Sequence, residues 1–350
     1  LFTAVLLSKM IVDARLEKGK HFEYFTPITK NFLQNINFDF IGKRKITYTI
    51  STIFIIIGIV SFVTRGFDLG IDFDGGREYK VRFENPVNTD EVRDVLDKTL
   101  GSGNVVKQFG AKNQVKITTK YMINNSSKDA DLKVEDAVYK ALIKYLPNTS
   151  FENFKRVNLM SSTKVDPSMT GDFKRSSMWA AIASIIVIGI YILIRFSKKG
   201  YVFGSIAATA HDAFAMLAVF SIFHGIMPFA LEVDQIFIAA LLTIIGYSIN
   251  DTVIIFDRLR EYLKERPNAD MKDTMNAAIN STLSRTFNTA FTVFIVVFIL
   301  FIFGGPVLRA FSFAMLIGVV VGCYSSVFIA SPIIYDLDKN NNTPAKTTKK

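Results

Sequence analysis

The chain has 350 residues, half of them hydrophobic, with 32 phenylalanines and a formal net charge of +10. Its apolar residues come in long blocks rather than in periodic patches, which excludes an ordinary soluble domain. Lysine and arginine are concentrated beside the ends of these blocks, so the basic balance indicates a membrane surface rather than nucleic acid as a partner. The sequence predicts an integral protein of a lipid bilayer.

The first residues, LFTAVLLSKMIVDARLEKGK, change from apolar to basic within a stretch too short to cross a bilayer. The stretch also lacks the charged first region of a signal peptide. We therefore expect residues 1–12 to be the end of a preceding transmembrane helix and the chain to be a fragment of a longer polypeptide. A short amphipathic anchor is the alternative. Residues 13–45 would then be a cytoplasmic linker.

Six later blocks are long enough to cross a bilayer, for which about 20 apolar residues are needed. We predict one transmembrane helix at 46–64, five more within 177–336, and a tail at 337–350. The short loops 224–235 and 304–308 contain no lysine or arginine, whereas the opposite ends of the helices are rich in both. This asymmetry places both termini in the cytoplasm.

Residues 65–176 form the one large hydrophilic segment, which this topology places outside the cytoplasm. Its pattern is strand, helix, strand, strand, helix, strand, with NFKRVNLM as the last strand. That order is typical of a ferredoxin-like α+β module. The segment has no histidine and no metal-ligand spacing, so an interaction module is favoured over an enzyme, with no cofactor or metal.

The stretch GIDFDGG at 70–76 follows the first span. Asp72 and Asp74 are compatible with cation binding. The favoured interpretation is a turn in which the glycines adopt positive φ.

The fourth span carries Asn250 and Asp251 near one end. A charged aspartate near the centre of a transmembrane helix costs about 2.5–3.5 kcal/mol, so such residues usually face a protein interior or water. Both residues belong to a stripe of small and polar residues at helical spacing, which points Asp251 towards neighbouring helices. The alternative is a structural residue that reaches the headgroups from the last turns.

The fifth span begins with Arg285, which by itself would be interpreted as snorkelling to the membrane surface. Because the fourth and fifth spans are antiparallel, Asp251 and Arg285 lie at similar depth. An ion pair between them would lower the cost of burying both. Moving the arginine away would then switch the aspartate between holding and releasing a proton.

The third span holds His211 and Asp212 near its middle, the deepest ionisable pair in the chain. A structural hydrogen-bonded pair and a functional pair remain equally open. The only cysteine, Cys323, can form no internal disulfide.

The last span has a small residue at every fourth position, a pattern that lets helices approach closely. These residues are Ala310, Ala314, Gly318, Gly322, Ser326 and Ala330.

Several stretches together resemble the signature segments of the SecF family: GIDFDGG, GYSINDTVIIFDRLRE (246–261), TLSRTFNT (282–289) and GCYSSVFIASP (322–332). SecF is the smaller half of the SecD–SecF export complex in the resistance-nodulation-division superfamily. The opening LFTAVLLSKM resembles the end of the last SecD helix, so the chain is similar to the C-terminal half of a fused SecDF. One departure is Asp166, where the family usually has glycine.

The resemblance implies export assisted by the proton motive force across the cytoplasmic (inner) membrane, with Asp251 and Arg285 as the proton relay. Asn250, His211 and Asp212 would support that relay. The implied partners are the SecD half, the SecYEG channel, the SecA motor, YajC and YidC, with the outer domain touching an unfolded preprotein. The alternatives are a proton-driven exporter of small molecules or lipids from the same superfamily, and a purely structural scaffold.

Overall fold

The computed structural model describes residues 2–17, 36–125, 129–227 and 229–338. Residues 18–35 of the predicted linker and 339–350 of the predicted tail lie outside the described residues. The first helix, α1 (Phe2–Leu16), belongs to a separate unit, Leu1–Phe38, and is too short to span a bilayer. All other elements belong to the second unit, Asp39–Lys350.

Six helical segments in the described residues are long and apolar enough to cross a membrane. They are α2 (Arg44–Arg65), α7 (Pro167–Phe196), α8 (Lys199–Phe223), α9 (Gln235–Glu265), α10 (Met271–Phe303) and the segment Gly305–Asp338. The last segment consists of α11 (Gly305–Ser325), a π-helical turn (Ser326–Ala330) and α12 (Ser331–Asp338). The helices extend beyond the predicted apolar blocks, because polar residues continue a helix as readily as apolar ones outside the lipid.

The segment between α2 and α7 folds as a four-stranded antiparallel sheet with helices on one face. Its elements are α3 (Ile71–Asp74), β1 (Gly76–Arg82), α4 (Thr89–Leu100), β2 (Val105–Gln108), β3 (Gln114–Thr119), α5 (Ala130–Leu142), α6 (Phe151–Asn153) and β4 (Leu159–Val165). The strand order is β2-β3-β1-β4. This is the ferredoxin-like arrangement. The predicted fold class, a polytopic helical membrane protein with one α+β module between the first two spans, is confirmed.

The module has its own apolar core, because successive residues of a strand point to opposite faces of the sheet. Tyr79 and Ile117 point towards the helices, where Leu96 of α4 and Val138 of α5 cover them. On the other face, Lys80 of β1 lies opposite Lys116 of β3. The polar face of the sheet is therefore the one left without helices of the module.

One local prediction was wrong. Residues 154–158, within the predicted strand NFKRVNLM, form a π-helical turn, and the strand begins only at Leu159. The turn buries the Phe154 side chain completely in the module's core, and Asn158 donates a hydrogen bond to the carbonyl of Arg82 at 2.8 Å. A short aromatic and β-branched run fits a strand or a buried helical turn equally well.

The bundle has a buried centre and an exposed rim. Helices α8, α9 and α11 provide most of the buried positions, whereas α2, α7 and α10 are mostly exposed in this chain. A Cβ atom on Gly318 would lie 2.3 Å from the side chain of Ile244, and one on Gly322 would lie 3.0 Å from Ser248. The small-residue stripe of α11 thus lies directly against α9.

The π-helical turn has a local cause. Pro332 has no N–H to donate to the carbonyl four residues earlier, which belongs to Phe328. The hydroxyl of Thr47 on α2 lies 3.3 Å from that carbonyl oxygen and 2.9 Å from the carbonyl oxygen of Arg44, so it can donate to either one. Turns of this kind often occur at functional sites inside α-helices.

Candidate functional site

Asp251 is buried inside the bundle without a hydrogen-bond partner. Its side chain is 1% exposed, and within the described chain neither carboxylate oxygen has a partner. Tyr247, one turn earlier on α9, and Cys323 of α11 are close enough to interact with it electrostatically. The Tyr247 hydroxyl is also buried without a partner. A buried carboxylate in this state is costly unless it carries a proton or gains a counter-ion.

Arg285 lies inside α10 on an exposed face and acts electrostatically on Asp251. The two residues form no ion pair within 4.0 Å in the part of the chain that the structure describes, so the predicted pair is not a direct contact in this conformation. Arg285 lines a cavity of about 460 Å³ between α9 and α10, together with Asp257, Arg258 and Glu261. The guanidinium of Arg285, which could balance the charge of Asp251, is thus nearby but forms no ion pair with it.

Asn250 does not join Asp251 in the interior. It lies on an exposed stripe of α9 with Thr243 and Gly246. The neighbouring face of α10 is also polar and exposed, through Arg285 and Asn288 among others. Polar side chains in a transmembrane segment usually face protein or water rather than lipid. The two stripes together therefore indicate a surface that another membrane protein covers.

His211 and Asp212 are buried next to α9 but form a set separate from Asp251. One carboxylate oxygen of Asp212 accepts a hydrogen bond from the Ser248 hydroxyl at 2.6 Å, and the other lies 3.4 Å from Nδ1 of His211. Further along α9, the hydroxyls of Thr252 and Ser326 are hydrogen-bonded to each other at 2.8 Å. These contacts tie α8, α9 and the π-helical turn together through polar groups.

A second charged cluster joins the polar face of the sheet to the loop before α9. Glu232 accepts hydrogen bonds from Lys107 at 2.8 Å and from Lys116 at 2.5 Å, and Lys107 also pairs with Asp68 at 2.5 Å. Burial alone would raise the pKa of Glu232, but the two ammonium groups outweigh it and lower that pKa. Burial likewise opposes the charge of Lys116, yet Glu232 and Glu78 raise its pKa. We call Asp68, Glu78, Lys107, Lys116 and Glu232 the junction cluster.

Asp234, beside the junction cluster, forms no ion pair with a lysine or arginine among the described residues, and the charge of Lys116 acts on it only from a distance. Burial raises its pKa to about 6, against an ordinary value of 3.8; the backbone N–H of Phe237 opposes this shift and the charge of Glu232 adds to it. Its carboxylate accepts the hydrogen bond from Phe237 at 2.8 Å and so caps the start of α9.

The GIDFDGG stretch connects the module to the same loop. Gly75 and Gly76 have φ angles of 72° and 139°, as expected for a turn that favours glycine. Asp72 accepts a hydrogen bond from the backbone N–H of Gln235 at 3.0 Å, and Asp74 pairs with Lys120 at 2.7 Å. The two aspartates are therefore used in a helix cap and an ion pair. Across the described ranges, no group of three or more metal-ligating residues lies together.

Reasoning from the sequence missed the junction cluster. Lys107 and Lys116 are separated from Glu232 by 125 and 116 positions. Strand alternation does put Lys80 and Lys116 on the face opposite the core, and Glu232 is conspicuous in a loop without basic residues. These were the available signals, but nothing in the sequence alone brings the two regions together.

Comparisons with known proteins identify the family. The family model "Protein export membrane protein SecD/SecF, C-terminal" matches residues 147–340, and the "SecD/SecF GG Motif" matches residues 60–87. The protein translocase subunit SecF of Rhodothermus marinus is 39% identical over 305 residues, which are 87% of this chain and 94% of that protein. The SecF of Thermodesulfovibrio yellowstonii is 38% identical, over 88% of this chain and 97% of that protein.

Among solved structures, SecDF of Thermus thermophilus matches 97% of this chain with a TM-score of 0.79 and 25% identity, and the chain covers 43% of it. A SecDF crystal structure in the "super-membrane-facing form" matches 93% of this chain with a TM-score of 0.63. The relatives are translocase subunits, which denotes a role in transport rather than in enzymatic catalysis. On these matches, the chain belongs to the SecF family of protein-export membrane proteins.

Proposed function

We propose that this chain couples the proton motive force to late-stage translocation and release of preproteins, as an accessory subunit of the Sec machinery in the cytoplasmic membrane. The observation that carries the proton coupling is the state of Asp251. It is buried, neither carboxylate oxygen has a partner among the described residues, and the charge of Arg285 is nearby but not in contact. A group in this state gains from binding a proton and gains equally from an approaching guanidinium. Alternation between these two partners is a proton relay.

The energy for such a cycle comes from the membrane. One elementary charge that crosses a potential of 100 mV releases about 2.3 kcal/mol, and the pH difference adds to it. A change in the Asp251–Arg285 distance alters how α9 and α10 pack. Because α9 begins at the loop that carries Glu232, such a movement reaches the α+β module through the junction cluster.

The orientation in the membrane is part of the proposal. The lysines and arginines beside the helix ends, and the two loops without them, support an orientation with both termini in the cytoplasm and the module outside. An external module would meet a preprotein as it emerges, still unfolded. Its surface bears exposed apolar side chains, including Leu132, Ile143 and Val157, that suit an unfolded chain.

The exposed polar face of α9 and α10 indicates one partner, and the family resemblance implies the others. We propose that the SecD half covers this face and supplies an intramembrane acid opposite Arg285. The apolar helix α1 and the fused architecture of the SecDF neighbours support SecD and SecF on one polypeptide. The SecYEG channel, the SecA motor, YajC and YidC are further proposed partners, which the family resemblance implies.

The alternative, a proton-driven exporter of small molecules or lipids, has less support. It would predict two large outer domains that enclose a substrate tunnel. Within the described residues, the single α+β module is the only large segment between spans.

The test measures preprotein release in inverted membrane vesicles that contain the complete export complex, with and without a proton gradient. We expect Asp251→Asn to assemble, to keep the gradient-independent release and to lose the gradient-dependent part. Asp257→Asn is the matched control, because Asp257 lies on the same helix but pairs with Arg195 at 3.0 Å at the surface. Undiminished gradient-dependent release by Asp251→Asn would refute the relay.

A further inference from the structure

We infer that His211 and Asp212 form a second proton-binding site of the transport cycle, reached from the end of the bundle at which α2 begins. This inference rests on the proposed proton-coupled function. The pair lies on α8, and its hydrogen bond to α9 runs through Ser248 rather than through Asp251.

The charge balance around Asp212 requires a proton. The side chain is 0% exposed, and its partners are the neutral hydroxyl of Ser248 and the imidazole of His211 at 3.4 Å. No lysine or arginine in the described ranges forms an ion pair with it. A buried carboxylate without a counter-ion is strongly unfavourable while it carries its charge. One proton held by the pair, on either the imidazole or the carboxyl group, removes the net charge.

A groove gives this pair a route to the membrane surface. The groove has a volume of about 650 Å³ and runs between α2, α8 and α12, with His211 in its wall. Tyr48, Ser51 and Asp336 line it as well. At the end of the bundle, Asp336 pairs with Arg44 at 2.9 Å and lies 3.4 Å from the Tyr48 hydroxyl.

Polar groups continue from that end to the pair. The hydroxyl of Tyr324 lies 2.9 Å from the Ser51 hydroxyl, and the ring of Tyr324 is 5.9 Å from the imidazole of His211. Near the pair, within the described residues, Tyr48 and Asp336 line the same groove, Arg44 pairs with Asp336, and Tyr324 has its ring 5.9 Å from the imidazole. From α9 and the π-helical turn come the neutral hydroxyls of Ser248, Thr252 and Ser326, and α7 contributes the apolar contact between Gly189 and Ile206.

The pair is also placed to act on the relay. Asp212 accepts its short hydrogen bond from Ser248, which lies one turn before Asp251 on α9. An ionised carboxylate holds that hydroxyl more tightly than a protonated one. Protonation or deprotonation of the pair therefore changes the strength of the hydrogen bond between α8 and α9, the helix that carries Asp251.

The test uses the complete complex in inverted vesicles, where the cytoplasmic face is in the bath and its pH can be varied. We measure gradient-dependent preprotein release against bath pH. His211→Gln and Asp212→Asn are expected to shift the midpoint of this profile by about one pH unit or more. His224→Gln, at the end of the same helix, is the matched control and should keep the wild-type midpoint.

Wild-type midpoints in both variants would overturn the inference, provided that Asp251→Asn has lost the gradient-dependent release. If Asp251→Asn keeps the gradient-dependent release, the proposed function fails and the inference fails with it. The release by Asp251→Asn therefore distinguishes a failure of the proposed function from a failure of the inference alone.

A second variant covers the case in which His211→Gln or Asp212→Asn does not assemble. Ser248→Ala leaves the pair in place and removes the hydroxyl that stabilises the ionised carboxylate. It should shift the midpoint to higher pH, because Asp212 then holds its proton more tightly. An unchanged midpoint in Ser248→Ala contradicts the inference.

Discussion

Two buried carboxylates, Glu232 in the loop before α9 and Asp251 in the middle of that helix, have opposite surroundings. Glu232 is 7% exposed and has two lysine ammonium groups within 2.8 Å of its oxygens. Asp251 is 1% exposed, and its oxygens have no partner within the described chain. The first charge is held permanently by counter-ions supplied by the sheet, whereas the second has its counter-charge at a distance.

This contrast separates Glu232, whose charge has a structural role, from Asp251, which can exchange a proton. Removing a partner from a buried ion pair is strongly destabilising, so Glu232 and its lysines hold the module on the membrane bundle. An unpaired acid can instead exchange a proton or accept an arginine without breaking an existing contact. The molecule thus has a rigid connection at one end of α9 and a switchable group further along it.

The largest expected effect comes from breaking the rigid connection. Glu232→Ala removes the counter-ion that Lys107 and Lys116 share and leaves Lys116 with only its 3.5 Å contact to Glu78, so it should lower the free energy of unfolding of the complex by about 3–5 kcal/mol. Thermal unfolding of the purified complex measures this. Glu261→Ala is the control, because its pair with Arg258 is exposed and is worth less than about 1 kcal/mol. Equal losses in the two variants would contradict a structural role for the junction cluster.

A second way to sharpen the comparison is to overfill the contact that positions Asp251. In Gly318→Ala, the new methyl group would meet the Ile244 side chain at 2.3 Å, so we expect a loss of about 1–3 kcal/mol. The same substitution at Gly171 of α7 meets nothing within 4 Å and should be neutral or stabilising by up to about 1 kcal/mol. Denaturant unfolding compares the two. A stable Gly318→Ala would show that α9 and α11 are less closely packed.

The charge of Asp234 should make the junction sensitive to pH. Its pKa is raised to about 6 in the folded protein, so folding favours the protonated form, and its contribution to stability is lost as pH rises from about 4 to about 6. Asp234→Asn keeps an acceptor for the cap and should be more stable than wild type at pH 7 by about 1–3 kcal/mol. The difference should disappear near pH 4. Unfolding curves at both pH values check this, and a constant difference would rule out the titration.

The smallest expected effect concerns the hydroxyl pair beside the relay. Thr252→Val removes the hydrogen bond to Ser326 and should cost about 0.6 kcal/mol, the usual value for such bonds inside membranes. Thr243→Val is the control, because its hydroxyl bonds only to the backbone of its own helix. Unfolding of both variants under the same conditions gives the difference. A larger loss of stability in Thr243→Val than in Thr252→Val would contradict this prediction and would show that the exposed face of α9 contributes more than the Thr252–Ser326 hydrogen bond.

Much of the fold follows from the sequence because its signals are local. Apolar blocks define the six spans, and alternation with amphipathic helices defines the order of the module's elements. The one misplaced strand, at 154–158, is a short aromatic run whose burial depends on the rest of the core. Local pattern alone could not distinguish the two conformations.

The candidate site was predictable only in part. Helical spacing correctly points Asp251 inwards, but it cannot tell that the guanidinium of Arg285 remains disengaged or that Asn250 lies on the exposed side. The pairing of Lys107 and Lys116 with Glu232 depends on how the module docks, which involves residues more than a hundred positions apart.

The central claim is that Asp251 binds and releases a proton, and infrared difference spectroscopy of the assembled complex during a pH change tests it most directly. We predict a protonated-carboxyl signal that changes with pH and is lost in Asp251→Asn but kept in Asp257→Asn. A difference spectrum for Asp251→Asn identical to that of the wild type would show that Asp251 does not exchange a proton, and would contradict the account.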